Sequence, residues 1–200
     1  MALQRSDRDL PALTVLALLL TGPRHTYEMH RLMIDTHKDF LTGLPRSMYH
    51  AVERLLRDEL IRVVGTDRAG ARPERTIYAL TDAGRAELAV RVRRLLEHPE
   101  PDTTLFVAAL SFVGCLPVPQ ARAALDARRD ELARRAEEAG AALAAAAQEV
   151  PRLLLVELEF EIARLSAERD WVAALVADFD AGRLTWPADV RDLPGVPPMT

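Results

Sequence analysis

One stretch of this 200-residue chain sets two kinds of side chain on opposite sides of a helix. Over 45–60, Met48, Val52, Leu55, Leu56 and Leu60 fall at i, i+4, i+7, i+8 and i+12, a single apolar stripe. The opposite face collects Arg46, Ser47, His50, Glu53, Arg54 and Arg57, with Tyr49 on its border. A guanidinium donates two parallel hydrogen bonds to guanine O6 and N7, while hydroxyl and imidazole groups serve bases or phosphate. Such a set on one open helix face is what reading a DNA major groove needs. The competing reading is a solvated face with Glu53–Arg57 and Arg54–Asp58 pairs. A second basic group, Arg68, Arg72 and Arg75, follows on a loop, where it would meet a phosphate backbone or minor groove. Asp67 and Glu74 dilute its charge.

Other reactive residue types lack the company that catalysis demands. Of the histidines at 25, 30 and 37, only His30 and His37 share a helix face, two turns apart and with no third ligand in view, so surface or capping roles are expected and no metal. Glu157 and Glu161 form a same-face carboxylate pair, but Arg164 beside them reads as a solvated ion pair. Cys115 lies in an apolar helix as a small core residue, and a single cysteine excludes an internal disulfide or a thiolate zinc cage. All but one of the 26 basic residues are Arg, Lys38 being the exception, and no phosphate-binding glycine loop precedes it. No nucleophile elbow, zinc-protease helix or dinucleotide fingerprint occurs. These residues point away from an enzyme and call for no cofactor. Trp171 projects off the apolar seam of its helix, where it would pack against another part of the protein or line an effector pocket. Trp186 is expected to pin the chain end.

The elements that must position these residues follow from periodicity. With 49% apolar, 28% charged and only 5% aromatic residues, the composition favours a soluble, helical chain. A first helix is expected over 11–20, ended by Gly22-Pro23. A second starts at Thr26 as N-cap and runs to about His37, and the 45–60 helix is the third. A strand over 61–64, a loop over 65–74 and a strand over 75–80 form a hairpin, and Thr81-Asp82 caps a fourth helix ending near Glu97. Three helices, a two-stranded wing and a further helix make a winged helix-turn-helix. His98-Pro99-Glu100-Pro101 reads as a linker.

Beyond it lie three helical stretches: 103–116, apolar on nearly all sides, 119–149 and 151–181. In the last, Leu155, Leu158, Ile162, Leu165, Arg169, Val172, Val176 and Phe179 follow a 3-4 spacing. Leu153 and Phe160 lie off that seam, and a helix needing cover on two faces invites a partner chain. The expected organisation is a mainly α chain with a winged-helix domain over 1–98, a helical dimerisation and effector domain over 99–187, and a flexible tail over 188–200. Homodimerisation is assigned to Leu155, Leu158, Phe160, Ile162, Leu165, Val172 and Val176, with the apolar first helix adding to the contact. Residues 1–98 carry 16 basic and 13 acidic side chains and 99–200 carry 10 and 17, so the N-terminal part is the one suited to a polyanion. The apolar run over 10–20 is too short to span a bilayer, so no membrane partner is expected.

Several stretches resemble the PadR family of transcriptional regulators. They are Leu-Ala-Leu-Leu-Leu-Thr-Gly-Pro-Arg-His-Thr-Tyr-Glu over 16–28, Ser47-Met48-Tyr49 with Leu55-Leu56, and Arg-Pro-Glu-Arg-Thr-Ile-Tyr-Ala-Leu-Thr-Asp-Ala-Gly over 72–84. The C-terminal part is similar to the helical dimerisation domain of the longer members. The resemblance implies a bacterial, cytoplasmic homodimer that binds double-stranded operator DNA of inverted-repeat form and represses until a small molecule releases it. Arg46, Ser47 and His50 lie at the helix start that enters a groove first and are the candidates for base contacts, while Arg54, Arg57, Arg68, Arg72 and Arg75 are expected at phosphates, with Tyr27 and Tyr49 at the edge of that surface. The competing reading is a winged-helix module whose basic face docks a protein. Two positions depart from the family pattern: Thr26 and Glu59 stand where Gly is usual. If residue 59 needs a positive φ, Glu costs about 1 kcal/mol there.

Overall fold

The computed structural model describes residues 3–35, 44–67 and 75–189, the side chains of 44–46 and 67 lying outside that description. The elements run α1 Leu10–Leu18, α2 Thr26–Asp35, α3 Leu44–Arg57, β1 Ile61–Asp67, β2 Arg75–Leu80, α4 Asp82–Glu97, α5 Thr103–Ser111, α6 Val118–Ala146 and α7 Val156–Asp180. The fold is mainly helical, with a winged helix-turn-helix followed by further helices. Residue 37, the loop residues 68–74 and the tail residues 190–200 lie outside the described residues.

α1 begins one residue earlier than its periodicity predicts because Asp9 caps it, accepting the Ala12 amide at 3.2 Å, with Pro11 in the first turn. It passes into a 3-10 turn, Leu19–Thr21, and stops at Gly22, whose φ of 139° only glycine adopts readily. Leu13, Val15 and Leu16 are fully buried within the chain, while Ala17 and Leu18 are half-buried. The N-cap of α2 is also different from the one expected. His25, not Thr26, supplies the acceptor, its Nδ1 receiving the Glu28 amide at 3.1 Å, and Thr26 is the first helical residue.

α3 ends three residues before the predicted Leu60. Glu59 takes φ 57°, its amide donates to Leu56 O and the Leu60 amide to Leu55 O, a left-handed helix stop with a glutamate in the glycine position. β1 and β2 pair antiparallel from Ile61–Leu80 to Asp67–Arg75, with a bulge at Val64 that lets β1 run further than predicted. Arg24 adds a third short partner by exchanging both backbone hydrogen bonds with Tyr78. Thr81 caps α4, accepting the Gly84 amide at 3.0 Å, and its own amide donates to Leu60 O at 3.1 Å. Gly84 therefore lies against the chain leaving α3, and a Cβ there would sit 2.0 Å from Leu60 O.

α5 is shorter than its apolar run because a 3-10 turn, Val113–Cys115, follows Ser111. Leu105, Phe106, Ala108 and Ala109 are buried, while Val107 is exposed. Arg122 pairs with Asp180 and Arg128 with Glu168, so α6 and α7 lie antiparallel. Leu165, Val172, Val176 and Phe179 fill the seam between them and join Leu125 and Leu132 in one buried cluster reaching back to Leu10. Trp186 pins the chain end by donating from Nε1 to Leu116 O at 2.9 Å and meeting Phe179 edge-on. Among the described residues no helix is long and apolar enough to cross a membrane.

Candidate nucleic-acid interface

α3 is held by Met48, Ala51, Val52 and Leu55, all buried, which turns the opposite face outward. Tyr49 is 56% exposed there. His50 sits 3.5 Å from Glu53, and Glu53 is therefore engaged by a neighbour other than the Arg57 expected from helical spacing. Arg57 is exposed and has no ion pair among the described residues. Ser47 is half-buried in the first turn of the helix, and Arg46 lies in the same turn with its side chain outside the described residues. Arg68 and Arg72 likewise lie outside them.

Arg54 is drawn elsewhere. Its Nη2 donates to Asp9 Oδ2 at 2.6 Å, tying the end of α3 to the cap of α1. This is not the Arg54–Asp58 pair expected from helical spacing. The contact joins residues 45 apart, which helical periodicity could not reveal.

Arg75 instead meets residues that the sequence left apart. At the start of β2 its guanidinium lies 5.2 Å over the ring of Tyr27, which is 59% exposed. The Tyr27 ring stacks against His25 at 6.1 Å, and Arg75 Nη1 approaches His25 Nε2 to 3.4 Å. The start of β2 and the start of α2 thus share one cluster of side chains. His25 was expected only as a surface or capping residue, and the signal that joins it to Arg75 is the Arg24–Tyr78 bridge, which is a tertiary contact.

A different site forms around Trp171. Its ring is 50% exposed and meets Phe106 edge-on at 6.1 Å. Together with Thr103, Val107, Leu110, Arg164 and Glu168 they line an open, mainly apolar groove of about 320 Å³. Behind it Arg128 is buried, its guanidinium 3.7 Å from the Phe106 ring centre and 2.6 Å from Glu168. Burial pushes this guanidinium below its ordinary pKa, and the Glu168 charge and hydrogen bond oppose that shift. Arg128 was not singled out from sequence, although it occupies a core position of the 121, 125, 128, 132 stripe.

The residues assigned to dimerisation divide in two. Leu155, Leu165, Val172 and Val176 are already buried by this chain's own helices. The apolar surface that stays open is Leu153, Leu154, Val156 and Phe160, with Leu158 and Ile162 half-buried beside it. Among the described residues no three His, Cys, Asp or Glu side chains gather as a metal ion would require.

Residues 15–90 match the model of the transcriptional regulator PadR-like family. No curated protein matches the chain. Among solved structures, Bacillus subtilis PadR in complex with operator DNA is similar at 18% identity and TM-score 0.39, covering 84% of this chain and 98% of that one. The PadR-like regulator BC1756 of Bacillus cereus is similar at 15% identity and TM-score 0.38, covering 86% and 99%. Bacillus subtilis PadR in complex with p-coumaric acid is similar at 17% identity and TM-score 0.37, covering 86% and 99%.

Proposed function

With residues 15–90 PadR-like, we propose that the chain is a DNA-binding transcriptional regulator, a homodimeric repressor that a small molecule releases from its operator. The observation that carries this reading is the coincidence of the family segment with a winged helix whose α3 keeps its polar face open. Two copies of α3 in successive major grooves, about 34 Å apart, would cover an inverted repeat. Arg46, Ser47 and His50 at the start of α3 read bases. Arg57, Arg68, Arg72 and Arg75 hold phosphates, with Tyr27 and Tyr49 at the edge. In this reading residues 1–98 bind DNA in the cytoplasm and 99–187 carry dimerisation and effector response.

The dimer contact is assigned to the open strip Leu153, Leu154, Val156 and Phe160, the last 69% exposed. Removing such a strip from water is the driving force for association. The effector is assigned to the Trp171 groove, whose aromatic walls suit a flat apolar molecule.

The test is a binding series on DNA from immediately upstream of the chain's own gene, and on scrambled DNA, at several salt concentrations. The expected result is tighter binding to the upstream DNA with a steep salt dependence, because phosphate contacts release counterions. Arg46→Ala should relax sequence preference, and Arg72→Ala should lower affinity evenly and flatten the slope. Unchanged affinity and slope in both variants would place the recognition surface elsewhere. Binding without salt dependence would favour protein docking instead. Sedimentation of Phe160→Glu against the parent tests the dimer, which should dissociate. Fluorescence of Trp171 in a Trp186→Phe background tests the groove, with Trp171→Phe expected to lose the response.

A further inference from the structure

We propose that His25 and Arg75 form a preorganised seat for one phosphodiester oxygen of the DNA backbone, with neutral His25 donating from Nε2. This rests on the DNA-binding reading and adds a residue to it. A neutral imidazole has one acceptor lone pair and one N–H. The Glu28 amide donates to Nδ1 at 3.1 Å, closing the first turn of α2, so the lone pair is used there and the proton sits on Nε2. Nε2 then faces Arg75 Nη1 at 3.4 Å, and a guanidinium nitrogen has only protons to offer. With that tautomer two donors lie side by side, and the described residues place no acceptor oxygen on either of them.

The arrangement is held from outside the pair. The Tyr27 ring lies against His25 on one side and carries the Arg75 guanidinium at 5.2 Å, so both side chains are fixed by the same aromatic plate. Glu28, whose amide closes the turn on His25, has its own carboxylate engaged by Arg24 at 2.6 Å. Arg24 is itself anchored by Thr21 and by the backbone exchange with Tyr78. An anionic oxygen placed between Nε2–H and Nη1–H would accept from both and convert an unfavourable contact into two charge-assisted hydrogen bonds. The seat lies where β2 meets the start of α2, and a winged helix bound through α3 would bring the DNA backbone to its wing.

The seat makes a prediction that distinguishes its two members. Arg75 brings charge, so Arg75→Gln should lower affinity and flatten the salt slope by about 0.9 per half-site. His25 donates as a neutral group and releases no counterion. His25→Asn keeps a side-chain oxygen for the α2 cap but removes the Nε2 donor. It should weaken binding to operator and to scrambled DNA alike, about tenfold per half-site, with the salt slope unchanged. Parental affinity in a His25→Asn protein that melts like the parent would overturn the seat while leaving DNA binding intact.

A second measurement does not depend on any variant. Imidazole nitrogen–proton correlation spectra of the unmodified protein should show His25 as the Nε2–H tautomer. Its Nε2 resonance should shift when operator DNA is added, and not when inorganic phosphate is added at the same concentration. The Nδ1–H tautomer, no shift with DNA, or an equal shift with inorganic phosphate would each overturn the proposal. A protein that binds no DNA at all would overturn both the seat and the reading it rests on.

Discussion

Arg128 and Glu168 form an ion pair, Nη2 to Oε1 at 2.6 Å, inside the contact between α6 and α7. The same guanidinium donates to Leu95 O at 3.1 Å and Leu96 O at 3.3 Å, near the C-terminal end of α4, and stacks on Phe106 of α5. One buried side chain therefore joins the helix that follows the wing to the three helices beyond it. The cation costs desolvation, and the carbonyls at a helix C-terminus, a carboxylate and an aromatic face offset that cost together. Glu168 and Phe106 also line the Trp171 groove, so a molecule bound there would touch two partners of Arg128.

Removing one partner should cost far more than removing both. Glu168→Gln leaves the buried cation without its counter-charge and should destabilise the fold by about 3–5 kcal/mol. Arg128→Met combined with Glu168→Leu should recover much of that loss, because no charge is left in the core. Urea unfolding of the single and double variants measures the difference. A double variant as unstable as Glu168→Gln would show that the hydrogen bonds to α4, not the charge balance, set the stability.

Positions 59 and 84 lie against the same segment and should respond with opposite signs. Gly84→Ala drives a methyl to 2.0 Å from Leu60 O, a backbone atom that cannot swing away, and should cost on the order of 3–5 kcal/mol. Glu59→Gly relieves a φ of 57° and should stabilise by about 1 kcal/mol. Thermal melts of the two variants check both directions.

Arg54 and Arg57 are one helical turn apart and should behave as different kinds of residue. Arg54→Ala breaks the tie to Asp9 and should lower stability by up to about 1 kcal/mol, with little change in the salt dependence of DNA binding. Arg57→Ala should leave stability within about 0.5 kcal/mol of the parent and reduce the salt slope. Melting temperature and salt titration, measured on both proteins, separate the roles.

Burial pushes the Cys115 thiol from an ordinary 9.0 up to about 12. Because the folded value lies above the unfolded one, the associated stability is complete below pH 9 and is lost as pH rises towards 12. Iodoacetamide at pH 8 should label the unfolded chain readily and the native chain very slowly, since the thiolate is the nucleophile. Rapid native labelling would show that the 3-10 turn carrying Cys115 opens.

The local devices of this fold were legible residue by residue. Pro11 and Gly22 bounded α1, Thr81 capped α4, the 48–60 stripe marked α3, and the change of period after Leu60 marked the wing. Each depends on neighbours within one helical turn or one hairpin, which is the range over which sequence spacing carries geometry. The motif over 72–84 also contained Gly84, although the reason for it, the Leu60 carbonyl, lies 24 residues away.

What the sequence by itself determined was therefore the set of elements and which face of each is apolar. It could not determine what each face would meet. The α7 seam reads the same whether α6 or a second copy covers it, and only the packed chain shows that α6 does, leaving Leu153, Leu154, Val156 and Phe160 open. The same holds for charge: Arg54 turns to Asp9, Arg128 goes into the core and Arg75 joins His25 across Tyr27. A long guanidinium side chain reaches many partners at similar local cost. Its choice is decided by which carboxylate, carbonyl or ring the tertiary fold brings within reach.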